Sequence, residues 1–253
     1  MNKRGSHVGT MLSFVIFITF LIFLYSILQP ALKLETDKQD TVDYLTAKLR
    51  ENFTGQLLSV TINIDDYQIS GTKLCTSIAN ILTGIENQGL NKDWLVVKNS
   101  SNSNLPYFIE GNGLSIKTGT KFDGFFKVYS SKDIDSSKCT PKTCVGNDCY
   151  ISNGVYTITS VGQMNETFLK KARRFRDDYN LNSQSYETIK TQLKVPKNIE
   201  FNFELKTTEG ESINTTSSKI PPTGTNVYVG EIPILYIDES ANLESGFLTV
   251  KVW

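Results

Sequence analysis

By residue type and spacing, the four cysteines Cys75, Cys139, Cys144 and Cys149 are the members of this 253-residue chain best suited to chemistry. The cluster CTPKTCVGNDC leaves four residues between successive thiols. Zinc ribbons use two residues between paired ligands, so one ion on four thiolates is off-pattern and no metal is expected. In an oxidising compartment the same thiols form two disulfides, with three connectivities open. A tight turn at VGND favours Cys144–Cys149 closing that loop and Cys75–Cys139 tying distant segments. Such bonds stabilise a loop and imply no catalysis.

Other chemistries find little support. The single histidine, His7, precedes a long apolar run, so the rest of the chain holds neither a histidine triad nor a histidine metal site. Ser–Lys or paired-carboxylate catalysis stays open. The acidic pairs are Asp65–Asp66, Asp133 with Asp135, Asp177–Asp178 and Asp238–Glu239. Neighbouring residues on a strand point to opposite faces, and such acids are ordinarily solvated. The run KDIDSSK lacks the glycine and distal glutamate of a calcium loop. No phosphate-cradling glycine loop or dinucleotide fingerprint occurs. No enzyme activity and no cofactor are therefore expected. The basic cluster Lys170, Lys171, Arg173, Arg174 and Arg176 is followed by Asp177 and Asp178. Spacing of four predicts Arg173–Asp177 and Arg174–Asp178 pairs along a solvated helix, with a docking surface as the alternative. Asn52, Asn99, Asn165 and Asn214 head Asn-X-Ser/Thr triplets, glycan acceptors wherever the body is exported.

What positions these residues begins with NKRGSHVGTMLSFVIFITFLIFLYSILQP. Gly9 to Leu28 carries no charge, and thirteen Leu, Ile, Val or Phe residues lie between Leu12 and Leu28. About twenty helical residues rise roughly 30 Å, the thickness of a bilayer's hydrocarbon core. These side chains favour insertion by at most about 5 kcal/mol. Thr10, Ser13, Thr19 and Ser26 can return their hydroxyls to the helix backbone. The run is long for a removable secretory signal, and YSILQPALK offers Leu28 where a small exit residue is wanted, so retention is expected. Lys3 and Arg4 precede the run and no acid appears before Glu35, which predicts a cytoplasmic N-terminus and an extracellular body. The chain has 26 basic and 26 acidic residues; without Lys3 and Arg4, 24 against 26 remain, a formal −2. No basic field exists, so nucleic acid is not an expected partner.

The motif KRG directly before the apolar run resembles the class III signal of type IV pilins and archaeal pilin-like surface proteins. In that family a prepilin-type membrane peptidase cuts after the glycine and the apolar helix stays on the mature protein. The resemblance implies that Lys3 and Arg4 are the recognition charges, Gly5 the last residue removed and Ser6 the new N-terminus. It also implies membrane lipid and other pilin-like subunits as partners of the helix, and a role in adhesion or surface assembly. The fifth residue after the cut is commonly glutamate in the family and is Thr10 here, which points away from a major, self-polymerising subunit. The resemblance covers about the first fifty residues. The alternative is a single-pass anchored binding or adhesion domain that never polymerises.

Beyond Pro30, which can kink a longer helix, Val42, Leu45, Leu49 and Phe53 recur at three- and four-residue steps and form one apolar stripe. Asp37 would cap a fresh helix if the first one breaks. The stripe is read either as a juxtamembrane helix packed on its own domain or as the outer half of a pilin-type helix. Strand signals dominate thereafter: LLSVTINI, FDGFFKVYSS, GVYTITSV, IEFNFELK and a closing hairpin, NVYVGEIPILYID with GFLTVKVW. Pro233 marks an edge or a bulge, and Val252 and Trp253 are expected in the sheet. TKLCTSIANIL reads as strand or short helix. Two short helices interrupt the strands. NETFLKKARRFRDDY is capped by Asn165 with Phe168, Ala172, Phe175 and Tyr179 inward, and SYETIKTQLKV places Tyr186, Ile189 and Leu193 on one side before Pro196. Thr207 to Asn226 reads as an exposed loop. The expected organisation is a cytoplasmic leader (1–8), a transmembrane helix (9–29), a juxtamembrane amphipathic helix (30–56) and an extracellular β-rich domain (57–253). The fold class is α+β: a long N-terminal helix followed by a mainly antiparallel body with two short helices.

Overall fold

The computed structural model describes residues 5–64, 75–118, 124–136, 138, 149–152, 155–215 and 220–253, with backbone alone for 5–8, 29–37 and 149–152. One helix, α1, runs from Gly5–Phe53 without interruption at Pro30. Asp37 therefore lies inside a helix, and no fresh helix begins there. At Phe53 the chain passes directly into a strand, β1 (Thr54–Ile64).

The remaining strands are β2 (Cys75–Ile78), β3 (Leu95–Asn99), β4 (Asn104–Leu105), β5 (Tyr107–Glu110), β6 (Gly113–Lys117), β7 (Phe125–Ser130), β8 (Cys149–Ser152), β9 (Tyr156–Phe168), β10 (Phe201–Thr207), β11 (Ser212–Asn214), β12 (Tyr228–Ile237) and β13 (Leu243–Val252). A nine-stranded sheet has the order β11-β10-β13-β12-β9-β1-β7-β3-β4, and a four-stranded sheet the order β5-β6-β2-β8. Pairing is antiparallel except for β12 with β9 and β2 with β8. The α+β class with a mostly antiparallel body thus holds. Two short helices are too few, however. The described residues of the body hold three: α2 (Ile81–Glu86), α3 (Leu169–Leu181) and α4 (Ser183–Gln192). Of the run TKLCTSIANIL, the described part forms a strand, Cys75–Ile78, followed by the start of a short helix at Ile81.

Two further boundaries differ from the sequence reading. Asn165 does not cap α3; it pairs with Gln56 inside β9, and the strand continues to Phe168. The β1 ladder claims Asn165 for the strand, and the helix begins behind Phe168, which offers no side-chain cap. The Thr207–Asn226 stretch is not wholly loop, because Ile213 is buried and β11 pairs with β10.

Three apolar clusters hold the body. In the first, the α1 stripe Val42, Leu45, Leu49 and Phe53 packs with α3, α4 and the inward faces of β10, β12 and β13. All four stripe residues are buried, each burial contributing about 2 kcal/mol. Phe53, Phe175 and Phe203 meet as a ring cluster with centroids 5.4–5.6 Å apart. The second cluster fills the space under β1, β3 and β7 with α2 and the smaller sheet, around Ile62, Ile81, Val97, Tyr107 and Phe126. A small third cluster, Leu57, Val96, Ile134, Phe168, Ile237 and Ala241, joins the two halves.

Candidate functional site: an uncovered helix and the seam at its foot

Gly9–Leu28 is apolar on every side, with a mean hydropathy of 2.6, and none of it is buried by the protein. A helix apolar all round belongs in a core or a membrane, and here no protein covers it. Its length and composition suit a bilayer span. Thr19 and Ser26 return their hydroxyls to the carbonyls of Val15 and Ile22, the latter at 2.9 Å, as the sequence leads one to expect.

The second half of α1 is seated on the sheet. Gly230 of β12 leaves no room for a side chain beside the helix: a Cβ added there would lie 2.5 Å from Val42 Cγ1. The Tyr44 hydroxyl donates to the Leu193 carbonyl at 3.1 Å, and the Lys38 ammonium lies 5.4 Å from the centre of the Tyr228 ring. Lys171 of α3 donates to the Thr54 carbonyl at the point where helix turns to strand. Beside this seam runs an open, largely apolar groove of about 700 Å³, between Gln39, Asp43, Ala47 and Arg50 of the helix and Gly230–Ile232 of β12. The groove follows a sheet edge. β9 pairs with β12 only at Tyr236 and Ile237, so no described strand continues the ladder beside Tyr228–Leu235 on that side. Pro233 stays in register with Phe247 across β13. A proline fits such a ladder where its nitrogen faces the open side, so Pro233 marks an edge and blunts it.

The basic cluster is consumed by contacts within the chain, and the expected helical pairs do not form. Arg173 holds Glu211 through two nitrogens, Nε and Nη2, at 2.8–3.1 Å, and also reaches Glu239. Arg174 pairs with the buried Asp133 at 3.0 Å, and Lys170 with Asp135. Asp177 takes Arg176 instead. Burial lowers the Arg173 pKa, but its bonds to Glu211 and Glu239 outweigh that and raise it overall. These pairs fix α3 on the sheet. Tyr179 and Tyr186 form a buried edge-to-face pair 4.8 Å apart, and Lys190 ties the Tyr186 neighbourhood to Glu200 at 3.1 Å. Burial raises both phenol pKa values.

The remaining sequence-derived residues fall as follows. Lys3 and Arg4 lie outside the described residues, while Gly5 and Ser6 begin α1. Asp65, Asp66, Cys139 and Cys144 also lie outside them. Cys75 of β2 is engaged in a disulfide, and no described cysteine is free; Cys149 opens β8. Asn52, Asn165 and Asn214 are exposed and Asn99 half-buried, so all four acceptor asparagines reach the surface. Among the described residues no three His, Cys, Asp or Glu side chains could hold a metal. Sequence reasoning passed over Lys98, which the fold buries against Asn242; its signal was a lysine at an inward position of the run LVVKN. Comparison with protein-family models, curated proteins and solved structures finds no match.

Proposed function

We propose that the chain is a pilin-like surface protein, held in the membrane by α1 and presenting its β-rich body outside the cell, as a minor subunit of a type IV-like filament or of a related surface assembly used in adhesion. The observation that supports this reading most is the division of labour along one unbroken helix. Its first half is apolar on all sides and uncovered; its second half is amphipathic and seated in a sheet. Lateral packing of apolar helices, with Ser13 and Thr19 among the smaller contact points, would be the assembly step. The prepilin-type peptidase, membrane lipid and other pilin-like subunits are the partners this implies.

Thr10 favours a second reading, a single-pass anchored binding domain that is neither cut nor polymerised, because it offers no carboxylate to a neighbouring amino terminus. The mature N-terminus decides between them. Mass spectrometry of the protein from its own membranes should find Ser6 first, with the chain present in sheared surface filaments. An intact Met1 would remove the pilin reading and leave the anchored domain.

A further inference from the structure

Lys98 of β3 is 0% exposed, the only lysine among the described residues hidden to that degree. Its ammonium nitrogen lies 5.6 Å from the centre of the Tyr129 ring, which packs on the cluster joining the two halves of the body. A buried cation is ordinarily met by a carboxylate. Here an amide is interposed. Lys98 Nζ donates to Oδ1 of Asn242, in the turn between β12 and β13. The Asn242 side-chain nitrogen donates in turn to Asp238 Oδ2 at 2.8 Å. Asp238 is itself held, its Oδ1 accepting the backbone N–H of Ser240 at 2.8 Å and of Asn242 at 2.7 Å. Asn102 Nδ2 gives the amide oxygen a second donor at 3.2 Å.

The amine therefore lies against the oxygen of a primary amide whose nitrogen lies against a carboxylate. We propose that Lys98 and Asn242 condense into an intramolecular isopeptide bond, with Asp238 as the proton carrier. Lys98 Nζ, as the free amine, attacks Asn242 Cγ; the new C–N bond forms and the carbonyl electrons move onto Oδ1, where Asn102 donates. Asp238 takes one proton from the attacking nitrogen and passes it to Nδ2. The Cγ–Nδ2 bond breaks, the carbonyl reforms and ammonia leaves. Amine and primary amide become secondary amide and ammonia, so atoms and electrons balance without oxidant, reductant or cofactor. Burial holds the lysine pKa below its ordinary value despite Asp238 and Glu244 nearby, which favours the free amine. A positioned carboxylate and an oxygen donor are what such an acyl transfer needs. The bond would join β3 to the β12–β13 turn, 144 residues apart in sequence, and so tie the two large cores covalently. It does not depend on filament assembly.

The test is peptide mapping of the reduced full chain, extracted in detergent. The expected result is an intact mass one ammonia lighter than the mature sequence requires. Proteolysis should release a branched peptide joining the Lys98 and Asn242 segments. Lys98→Met should restore the full mass, and Asp238→Ala should slow formation by about a hundredfold or more. Recovery of the Lys98 and Asn242 peptides as separate, unmodified species from the wild-type chain would overturn the proposal, and that measurement needs no variant to fold. An ammonia deficit without the branch would overturn it equally.

Discussion

The seating of α1 on the sheet makes a quantitative demand at Gly230. An alanine methyl there would stand 2.5 Å from Val42 Cγ1, and Thr46 Oγ1 is 3.8 Å away. Val42 cannot rotate aside, because a β-branched residue in a helix keeps essentially one rotamer. Helix or strand must therefore retreat by about 1 Å to restore ordinary contact, the kind of overpacking that costs about 1–3 kcal/mol. Against this, alanine is better than glycine in a strand by about 0.5–1 kcal/mol. The net expectation for Gly230→Ala is a loss of about 1–2 kcal/mol.

Val42→Ala removes the two methyl groups that fill the notch and should cost about 1–3 kcal/mol by itself. Together the two changes exchange a methyl across the seam. The double variant should then be more stable than the sum of the singles by about 1–2 kcal/mol. Urea unfolding of the full chain in detergent measures this, followed by the fluorescence of Trp253, which is buried at the end of β13. Midpoints should move at constant slope. Strict additivity, or a Gly230→Ala chain more stable than the parent, would mean that α1 does not approach β12 this closely.

Two other expectations follow from the body. Burial raises the Tyr179 and Tyr186 pKa values above the ordinary 10.0, so on alkaline titration the unfolded chain releases those protons first. The stability they contribute is complete below pH about 10 and falls above it by up to about 1.4 kcal/mol per pH unit for each tyrosine. Urea midpoints measured across that range should drop accordingly, and a flat profile would contradict the burial of the pair. Second, the parallel register sets Cys75 opposite Cys149, and adjacent strands lie about 4.8 Å apart, within disulfide reach. A non-reducing peptide map is expected to show Cys75–Cys149 with Cys139–Cys144, in place of the pairing that the VGND turn favours; a Cys75–Cys139 peptide would refute the register argument.

The periodicity of the α1 stripe and the alternation in β1, β7, β10 and the closing hairpin could be read from sequence because each pattern reports burial directly. Val42, Leu45, Leu49 and Phe53 all reach the first core, and Pro233 does sit on an edge. What could not be read were the features decided by partners distant in sequence. Asn165 has every local attribute of a cap, yet a ladder to Gln56 claims its backbone. Arg173 has Asp177 four residues on, yet Glu211 and Glu239 meet it from the connections beside β11 and between β12 and β13. A partly buried guanidinium between two carboxylates gains more than a solvated pair along a helix, since exposed helical pairs contribute only about 0.3–0.5 kcal/mol.

Lys98 and Asn242 are the extreme case of that rule. Asn242 is held locally by Asp238, but nothing near Lys98 in sequence announces its partner, and their meeting depends on the third cluster, where the halves of the body touch. The same topology leaves the ladder between β12 and β9 only two residues long, so hydrogen bonding across the middle of the large sheet is sparse at that join. Cohesion there falls on side chains: Phe168 and Ile237 below, Arg173 on Glu239 beside them, and the Lys98–Asn242–Asp238 chain from the β3 side. A covalent bond placed at Lys98 would close the large sheet across a ladder of only two residues, where backbone hydrogen bonds contribute least to holding the halves together.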